Sequence, residues 1–209
     1  LVMLPIEKVT AISFVVPFFV TILAVLFLGE KIYIYRTLAL ILGFIGMIVI
    51  LRPGIINISI GVYMALASSL MWSVVIIITK SIAKDDSSIT ILSYGYTIMT
   101  LLSFIIVLFY WQTPSLQTLI YLFFAGLSGT LLHLCINHAY KLVDVSMTQP
   151  YSFLSLVFAS LVGYFVFSET PDLFTWIGAS IIFLGVFIMS YREMKLDKEI
   201  IRKRIDIKS

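Results

Sequence analysis

Long apolar runs alternate with short polar links along the chain, and this pattern predicts the fold. A membrane-spanning helix needs about 20 predominantly apolar residues, and the links between the runs are rich in turn-forming residues. Charged residues lie at or outside the ends of the runs, as expected if a charge at the centre of a span costs about 2.5–3.5 kcal/mol. Seven runs qualify: residues 9–29, 34–51, 59–79, 89–110, 116–136, 147–167 and 173–191. We therefore expect an all-α membrane protein, a polytopic helical bundle.

The composition supports the same conclusion. Of the 209 residues, 61% are hydrophobic and only 12% are charged, and the mean hydropathy is +1.10. A soluble domain averages about 45–50% apolar and roughly 25% charged residues, so one soluble core of this size cannot hide so many apolar side chains. The net charge of +3 does not indicate a nucleic-acid partner, because most basic residues lie at one end. The lone cysteine, Cys135, excludes an internal disulfide.

One stretch of the chain occurs twice. Residues 13–46 contain an apolar run, a glutamate, a short polar link and a second apolar run with glycines, and the same plan returns in residues 152–185. Six identical pairs share a constant offset of 139 positions: Ser13 and Ser152, Phe14 and Phe153, Phe19 and Phe158, Glu30 and Glu169, Phe44 and Phe183, and Gly46 and Gly185. We interpret this register as an internal duplication in which two apolar helices flank an acidic turn.

The distribution of Lys and Arg predicts how the spans cross the membrane. Seven spans place alternate links on opposite sides, and twelve of the fourteen Lys and Arg residues then lie on one side with the C-terminus. The positive-inside rule makes that side cytoplasmic. Glu30 and Glu169 fall on opposite sides, so the two copies are expected to be inverted relative to each other. Inverted repeats are a recurring plan of secondary transporters.

Inverted copies need an odd number of spans each, and the distance between the two glutamate turns corresponds to five. The expected plan is a 5+5 inverted repeat of ten helices, of which seven are seen. Residues 1–53 would be the last two helices of the first copy, residues 54–191 the complete second copy, and residues 192–209 a basic cytoplasmic tail. Three further helices are expected before Leu1.

These segments resemble the drug/metabolite transporter superfamily in its EamA-type, ten-helix branch. The resemblance is carried by PFFVTILAVLFLGEKI and GFIGMIVILRPG in the first copy and by YFVFSETPDLFTWIGASIIFLGVFIM in the second. It implies a small-metabolite transporter of the inner membrane that uses no cofactor. The stretches VDVSMTQPYSFLSLV, ETPD and FIGMIVILRP look most similar to S-adenosylmethionine uptake carriers of obligate intracellular bacteria, which implies that substrate.

Five residues are candidates for lining a substrate cavity: Trp72, His133, Asn137, Gln149 and Tyr151. Trp72 lies mid-span among serines, where its ring either stacks on a cationic or aromatic substrate or packs in the core or against lipid. His133 and Asn137 share a helix face and either line the cavity or bond between helices. Gln149 precedes a proline, which frees a backbone carbonyl. Tyr151 follows as a polar entrance or an interface anchor.

The two repeated acids, Glu30 and Glu169, are expected to be structural. Each ends a span at the headgroup level, where it accepts hydrogen bonds across the hairpin or caps the next helix. Proton coupling is the alternative, although functional acids are expected nearer the midplane. No metal site is indicated, because His133 and Asn137 at helical spacing would need a second histidine to suit a metal ion.

The sequence therefore predicts a secondary transporter that moves a small polar metabolite by alternating access. Its partners are the lipid bilayer and a small-molecule substrate, and a homodimer is an open alternative. The rival prediction is a non-transporting membrane protein, a remnant or fragment of such a transporter. An enzyme is not predicted, because the sequence has no Gly-rich phosphate-binding loop, no Cys/His metal spacing and no Ser/His/Asp set.

Overall fold

The computed structural model of the protein describes residues 6–52, 59–168 and 170–206. Within these ranges the chain is helical and contains no strand. The helices are α1 (Ile6–Ser13), α2 (Val16–Leu28), α3 (Ile34–Leu51), α4 (Ile60–Ile82), α5 (Ser88–Val107), α6 (Leu116–Leu142), α7 (Val145–Thr148), a 3-10 helix (Gln149–Phe153), α8 (Leu154–Phe167) and α9 (Leu173–Asp206).

Seven spans in the described part of the chain are long and apolar enough to cross a membrane, which confirms the predicted all-α membrane fold. Five spans are single helices. The other two, Val9–Leu28 and Val145–Val166, are each interrupted. Helix α9 continues beyond its span, Leu173–Leu196, to Asp206, so the segment predicted as a tail begins as an extension of the last helix.

The chain forms two compact units. The first unit contains Leu1–Ile77 and Val145–Ser209, and the second contains Ile78–Asp144. In the second unit, α5 and α6 each begin after a serine whose hydroxyl oxygen accepts a hydrogen bond from a backbone N–H three residues on. Ser87 accepts from Thr90 at 3.0 Å and Ser115 from Thr118 at 3.2 Å. Both serines are therefore N-caps, which satisfy N–H groups that the helix itself leaves unpaired.

A buried lysine caps the other end of α6. The ammonium group of Lys80 donates to the carbonyl oxygens of Tyr140 and Val143, the latter at 2.6 Å. The last carbonyls of a helix have no partner within the helix, and they carry partial negative charge. Lys80 therefore satisfies these groups although it is only 9% exposed.

Helices α3 and α9 form the centre of the first unit and run antiparallel. A Cβ atom placed on Gly46 would lie 2.7 Å from the carbonyl oxygen of Gly178, and one placed on Gly178 would lie 2.7 Å from the carbonyl oxygen of Gly46. Near this crossing, a Cβ on Gly185 would lie 3.3 Å from the carbonyl oxygen of Ala39. Small residues permit such close backbone approach, which is how helices associate in a membrane.

These contacts follow the 139-residue offset found in the sequence. Gly185 is the counterpart of Gly46 in the other copy, and Ala39 is the counterpart of Gly178. The Gly46–Gly178 contact is therefore equivalent to the Gly185–Ala39 contact, and the structure has both. A two-fold axis between α3 and α9 produces this relation. Helices α3 and α9 are thus related by an approximate two-fold rotation that reverses their direction, as the predicted inversion of the copies requires.

The backbone turns repeat at the same offset. Helices α2 and α8 both end in a left-handed C-cap, at Gly29 with φ 66° and at Ser168 with φ 57°. The N–H of each cap donates to the carbonyl five residues back, which belongs to Ala24 in the first copy and to Gly163 in the second. Glycine adopts this conformation freely, whereas a residue with a Cβ does so at a cost. The same turn is therefore built twice.

The side-chain hydroxyls of the two copies also match. The hydroxyl of Thr21 donates to the carbonyl oxygen of Pro17 at 2.7 Å, and the hydroxyl of Ser160 donates to that of Leu156 at 2.9 Å. Both members of the second bond lie 139 residues after those of the first. Helices α3 and α9 begin at this offset as well.

The turns that follow α2 and α8 lie at opposite ends of the α3–α9 pair. Arg36, in the first turn of α3, contacts Glu193 near the end of the α9 span, and Arg52, just after α3, contacts Asp172, just before α9. The turn containing Glu30 is therefore at the Arg36 end, and the turn between α8 and α9 is at the Arg52 end. This agrees with the predicted inversion, although Glu169 itself lies outside the described residues. The ten-helix plan and the domain limits remain predictions.

Candidate functional site at the helix breaks

Each interrupted span is broken near a proline. In Val9–Leu28, α1 ends at Ser13 and α2 begins at Val16, and the N–H of Val15 donates three residues back to Ile12 at 3.0 Å. Pro17 has no N–H to donate to the carbonyl of Ser13. Breaks of this kind in a membrane are tolerated where neighbouring helices satisfy the freed groups or where the backbone lines a cavity.

The second break adjoins the equivalent place in the second copy. Phe14 and Val15 correspond to Phe153 and Leu154, at the end of the second break, whereas Pro17 and Pro150 are not equivalent positions. In Val145–Val166, a 3-10 helix from Gln149 to Phe153 separates α7 from α8. Pro150 cannot donate to the carbonyl of Ser146. A 3-10 stretch within a longer helix often marks a functional hinge. Interrupted spans at corresponding positions of two inverted copies indicate the binding site of a secondary transporter.

The two breaks pack against each other. The rings of Phe14 and Phe153, which occupy equivalent positions in the copies, stack with centroids 5.5 Å apart and an interplanar angle of 20°. Phe153 is fully buried, and a Cβ on Gly43 would lie 2.5 Å from its ring. The aromatic pair thus fits against α3 because position 43 has no side chain. Phe14 and Phe153 are equivalent residues of the two copies, and their contact joins the two breaks.

Polar groups around the second break are partly accessible. Tyr151 is 39% exposed, and its hydroxyl lies 2.7 Å from that of Ser190. The exposed Ser152 and Ser155 donate to backbone carbonyls of this segment. Gln149 is buried, and its amide donates to the carbonyl oxygen of Val145 at 3.1 Å. The Gln149 amide therefore satisfies its own turn, whereas Tyr151 and the serines present polar atoms at the surface of the first unit.

Helix α4 brings two serines to the first break. Ser69 and Ser73 are buried, and the hydroxyl of Ser73 donates to the carbonyl oxygen of Ser69 at 2.7 Å. The same hydroxyl lies 3.4 Å from the carbonyl oxygen of Val16, in the first turn of α2. Trp72 is 51% exposed, so its ring remains accessible while the neighbouring serines face the break.

His133 and Asn137 belong to the second unit. The imidazole of His133 is in edge-to-face contact with the ring of Tyr96 in α5, with centroids 6.3 Å apart. Asn137 is 3% exposed. The predicted cavity residues are therefore divided, with Trp72, Gln149 and Tyr151 in the first unit and the other two in the second.

A network of charged side chains lies at the Arg36 end of the first unit. Arg36 is 4% exposed; its Nε donates to Glu193 Oε1 at 2.7 Å, and its Nη1 donates to the hydroxyl of Ser146 at 3.1 Å. The carboxylate of Glu30 accepts the backbone N–H groups of Val145 at 2.7 Å and Ser146 at 3.0 Å. Glu30 thus caps α7, in the other copy, rather than the helix that follows it in the chain.

The opposite end of the unit has a smaller ion pair beside a cavity. Arg52 contacts the carboxylate of Asp172, and Thr175 donates to the same carboxylate through its N–H at 2.9 Å and its hydroxyl at 2.8 Å. The two hydrogen bonds from Thr175, together with Arg52, lower the pKa of Asp172 to about 2. The cavity has a volume of about 400 Å³. Its lining residues are Ile50, Leu51, Arg52, Ser160, Thr170, Pro171, Asp172 and Thr175.

Sequence reasoning did not single out Arg36 or the Arg52–Asp172 pair as site residues. Asp172 has a local signal, since an Asp immediately before an apolar run is typical of an N-cap. Arg36 has a weaker one, a cation within the first turn of a span. Among the described residues, no group of three or more His, Cys, Asp or Glu side chains is arranged to hold a metal ion.

An inverted pair of broken spans is the arrangement in which many secondary transporters hold their substrate, and the chain is a polytopic membrane protein of this architectural class. Comparison with known sequences makes the assignment specific. The profile of the EamA-like transporter family matches residues 1–52 and 59–191, so the chain belongs to this family.

Curated relatives include transporters with two different substrates. The chain is 34% identical over 191 residues to the S-adenosylmethionine uptake transporter of Rickettsia bellii, which covers 91% of this chain and 66% of the relative. It is 31% identical over 192 residues to the riboflavin transporter of Vibrio cholerae, covering 91% of the chain and 64% of the relative. The chain thus spans slightly less than two thirds of the length of these relatives.

A solved crystal structure has the same fold. It superposes with a TM-score of 0.71 over 90% of this chain and 69% of its own, at 15% sequence identity. At this identity the likeness concerns the fold alone.

Proposed function

We propose that the protein is a secondary transporter of the inner membrane that moves a small polar metabolite by alternating access. The observation that carries this proposal is the pair of broken spans, whose breaks meet at Phe14 and Phe153, equivalent residues of the two copies that stack on each other. Breaks at such positions supply backbone polar groups at membrane depth and points at which a helix can bend. In this proposal the chain catalyses no covalent reaction.

S-adenosylmethionine is the proposed substrate. The support is the 34% identity to a carrier named for that substrate. Riboflavin is a second candidate, because the 31% identity to a riboflavin transporter covers the same share of the chain. Both molecules carry a planar nitrogen heterocycle, and the accessible rings of Trp72 and Tyr151 are proposed to stack on it.

The C-terminus is proposed to be cytoplasmic. Twelve of the fourteen Lys and Arg residues favour that side, and α9 extends toward it as a helix to Asp206. This orientation places the Arg36 network at the cytoplasmic end and the Arg52–Asp172 pair at the outer end. An uptake carrier would therefore receive its substrate at the Arg52 end.

Uptake of labelled S-adenosylmethionine tests the proposal. The chain, with any segment that its gene encodes ahead of Leu1, is produced in a bacterial host without its own uptake route, and unlabelled riboflavin is added as a competitor. Uptake above the empty-vector level is expected, and it should fall in Pro17→Ala and Pro150→Ala, which restore a backbone donor at each break. Pro114→Ala, in the α5–α6 link, is the matched control and should transport normally.

Two outcomes would contradict the proposal. Absence of uptake for both substrates, with the protein verified in the membrane, would favour the non-transporting alternative. Undiminished uptake in both break variants would mean that the interrupted helices do not participate in transport.

A further inference from the structure

The cavity beside Arg52 and Asp172 presents two opposite charges, each fixed in place by a different set of contacts. The guanidinium of Arg52 lies 3.9 Å from the ring centroid of Phe174, and its Nε donates to the carbonyl oxygen of Val49 at 3.4 Å. A cation above an aromatic face is attracted by the ring quadrupole. Asp172 is held from its other side by Thr175. Neither charge depends on the other for its position.

Both charged groups are accessible to a ligand. The side chains of Arg52 and Asp172 are 47% and 49% exposed. An exposed ion pair contributes little net free energy, because water solvates both partners well. Separating the pair therefore costs little, provided that a ligand supplies an anionic group to the guanidinium and a cationic group to the carboxylate. Arg52 also retains unused N–H donors, since a guanidinium has five.

The position of the cavity defines which molecules reach it. Arg52 is the residue after the span Ile34–Leu51, and Asp172 precedes the span Leu173–Leu196, so we expect both at the level of lipid headgroups. The walls combine apolar side chains, such as Leu51 and Pro171, with the hydroxyls of Thr170 and Ser160. A ligand with one polar end and one apolar end matches these walls.

We propose that this cavity is a binding site for a zwitterion, in which Arg52 binds the anionic group and Asp172 binds the ammonium group of one ligand. Two sources supply this chemistry. One is the phosphoethanolamine headgroup of a bilayer lipid. The other is the amino-acid group of a soluble metabolite, for which this cavity would be the first binding site on the transport path. This second source rests on the proposed function, and the first does not.

Binding to the purified chain in nanodiscs of defined lipids tests both sources. In the lipid arm, native mass spectrometry compares the retention of phosphatidylethanolamine and phosphatidylglycerol, because the latter has the phosphate without the ammonium group. In the solute arm, calorimetry in phosphatidylglycerol nanodiscs compares S-adenosylmethionine with its methyl ester, which lacks the carboxylate. Arg52→Gln and Asp172→Asn are the test variants. Lys84→Gln and Asp85→Asn remove the same charges from exposed positions of the α4–α5 turn and serve as controls.

In the arm that corresponds to the true source, each test variant should weaken binding about tenfold, since it removes one charge-assisted contact, and the control variants should match the unmodified chain. Arg52→Lys keeps the charge and should retain part of the binding, which distinguishes lost recognition from a lost fold. Equal retention of the two lipids together with equal binding of the solute and its ester would overturn the proposal. Equal binding by the test and control variants would also overturn it.

The uptake assay separates this inference from the proposed function. If phosphatidylethanolamine binding depends on Arg52 and Asp172 but no uptake is found, the site stands and the transport function fails. If uptake is normal and neither arm responds to the variants, the transport function stands and the site fails.

Discussion

A methyl group added at Gly46 should push α3 and α9 apart. The new Cβ would lie 2.7 Å from the carbonyl oxygen of Gly178 and 2.6 Å from Cγ1 of Ile182. Ordinary van der Waals contact begins at 3.4 Å, so the helices would have to separate by about 0.7 Å. Ile182 is fully buried, and the carbonyl belongs to the backbone of a helix, so neither can move aside by rotating a side chain.

The magnitude follows from the cost of overpacking, about 1–3 kcal/mol in a well-packed core. Replacing a helical glycine by alanine also gains about 0.5–1 kcal/mol of helix stability. Gly129→Ala provides the reference for that gain, because a Cβ at Gly129 in α6 meets nothing within 4 Å. We therefore expect Gly46→Ala to be about 1–3 kcal/mol less stable than Gly129→Ala.

Thermal unfolding of the two variants in the same detergent measures the difference. For a chain of this size, each kcal/mol corresponds to about 2–4 °C in Tm. Gly46→Ala should melt below the unmodified chain, and Gly129→Ala at or above it. Equal melting temperatures for the two variants would refute the close approach of α3 and α9.

Three further predictions concern charged groups at the ends of the first unit. Glu30→Ala should cost about 1–3 kcal/mol of unfolding free energy, because it leaves two backbone N–H groups without their acceptor, whereas Asp85→Ala, at an exposed turn, should stay within about 0.5 kcal/mol. Arg36→Gln should cost about 3 kcal/mol, and the Arg36→Gln/Glu193→Gln double variant should cost less than the sum of the single variants. The pKa of Asp172 is lowered to about 2 from 3.8, so its stabilising contribution is present above about pH 4 and is lost progressively as the pH falls through about 2. The stability difference between the unmodified chain and Asp172→Asn should therefore shrink as the pH falls from about 4 to about 2, and a difference that does not change over this interval would contradict the assignment.

The sequence predicts the spans and the duplication well, because both depend on local composition and spacing. Apolar runs of spanning length need no knowledge of their neighbours, and the 139-residue register is visible without a structure. The 139-residue offset also relates backbone features at positions where the two copies have different residues. Gly29 and Ser168 are different residues, yet both form the left-handed cap that ends the helix.

The breaks and the charged networks could not be predicted in the same way. The apolar run of residues 9–29 predicts one span but does not show where the helix breaks. In the structure the break lies beside Pro17, which removes the hydrogen bond to the Ser13 carbonyl, and Phe14 packs there on Phe153. The contact of Glu30 with α7 joins residues 115 positions apart. The local sequence around a hairpin glutamate is the same whether the carboxylate caps the next helix or a helix of the other copy. Tertiary packing therefore determines which helix it caps.

The cavity residues show the limit of sequence reasoning about function. Trp72 and Tyr151 are predicted as cavity residues because they are aromatic and lie in or beside a span, and both are accessible in the first unit. Gln149 is predicted as a cavity residue because the proline after it frees a backbone carbonyl, but its amide satisfies the turn that contains it. Polarity within a membrane span indicates that a hydrogen bond is needed, and it does not say whether the protein or a substrate supplies the partner.

Cysteine labelling of the two hairpin turns tests the central claim, the inversion of the copies, most directly. Lys31 and Thr170 are equivalent positions in the two copies and both are exposed, so each is replaced by cysteine in a chain in which Cys135 is serine. Intact cells are treated with a membrane-impermeant maleimide before and after permeabilisation. The account predicts that Thr170→Cys is labelled in intact cells and Lys31→Cys only after permeabilisation. Labelling of both positions from the same side would contradict the inverted arrangement and the transport mechanism built on it.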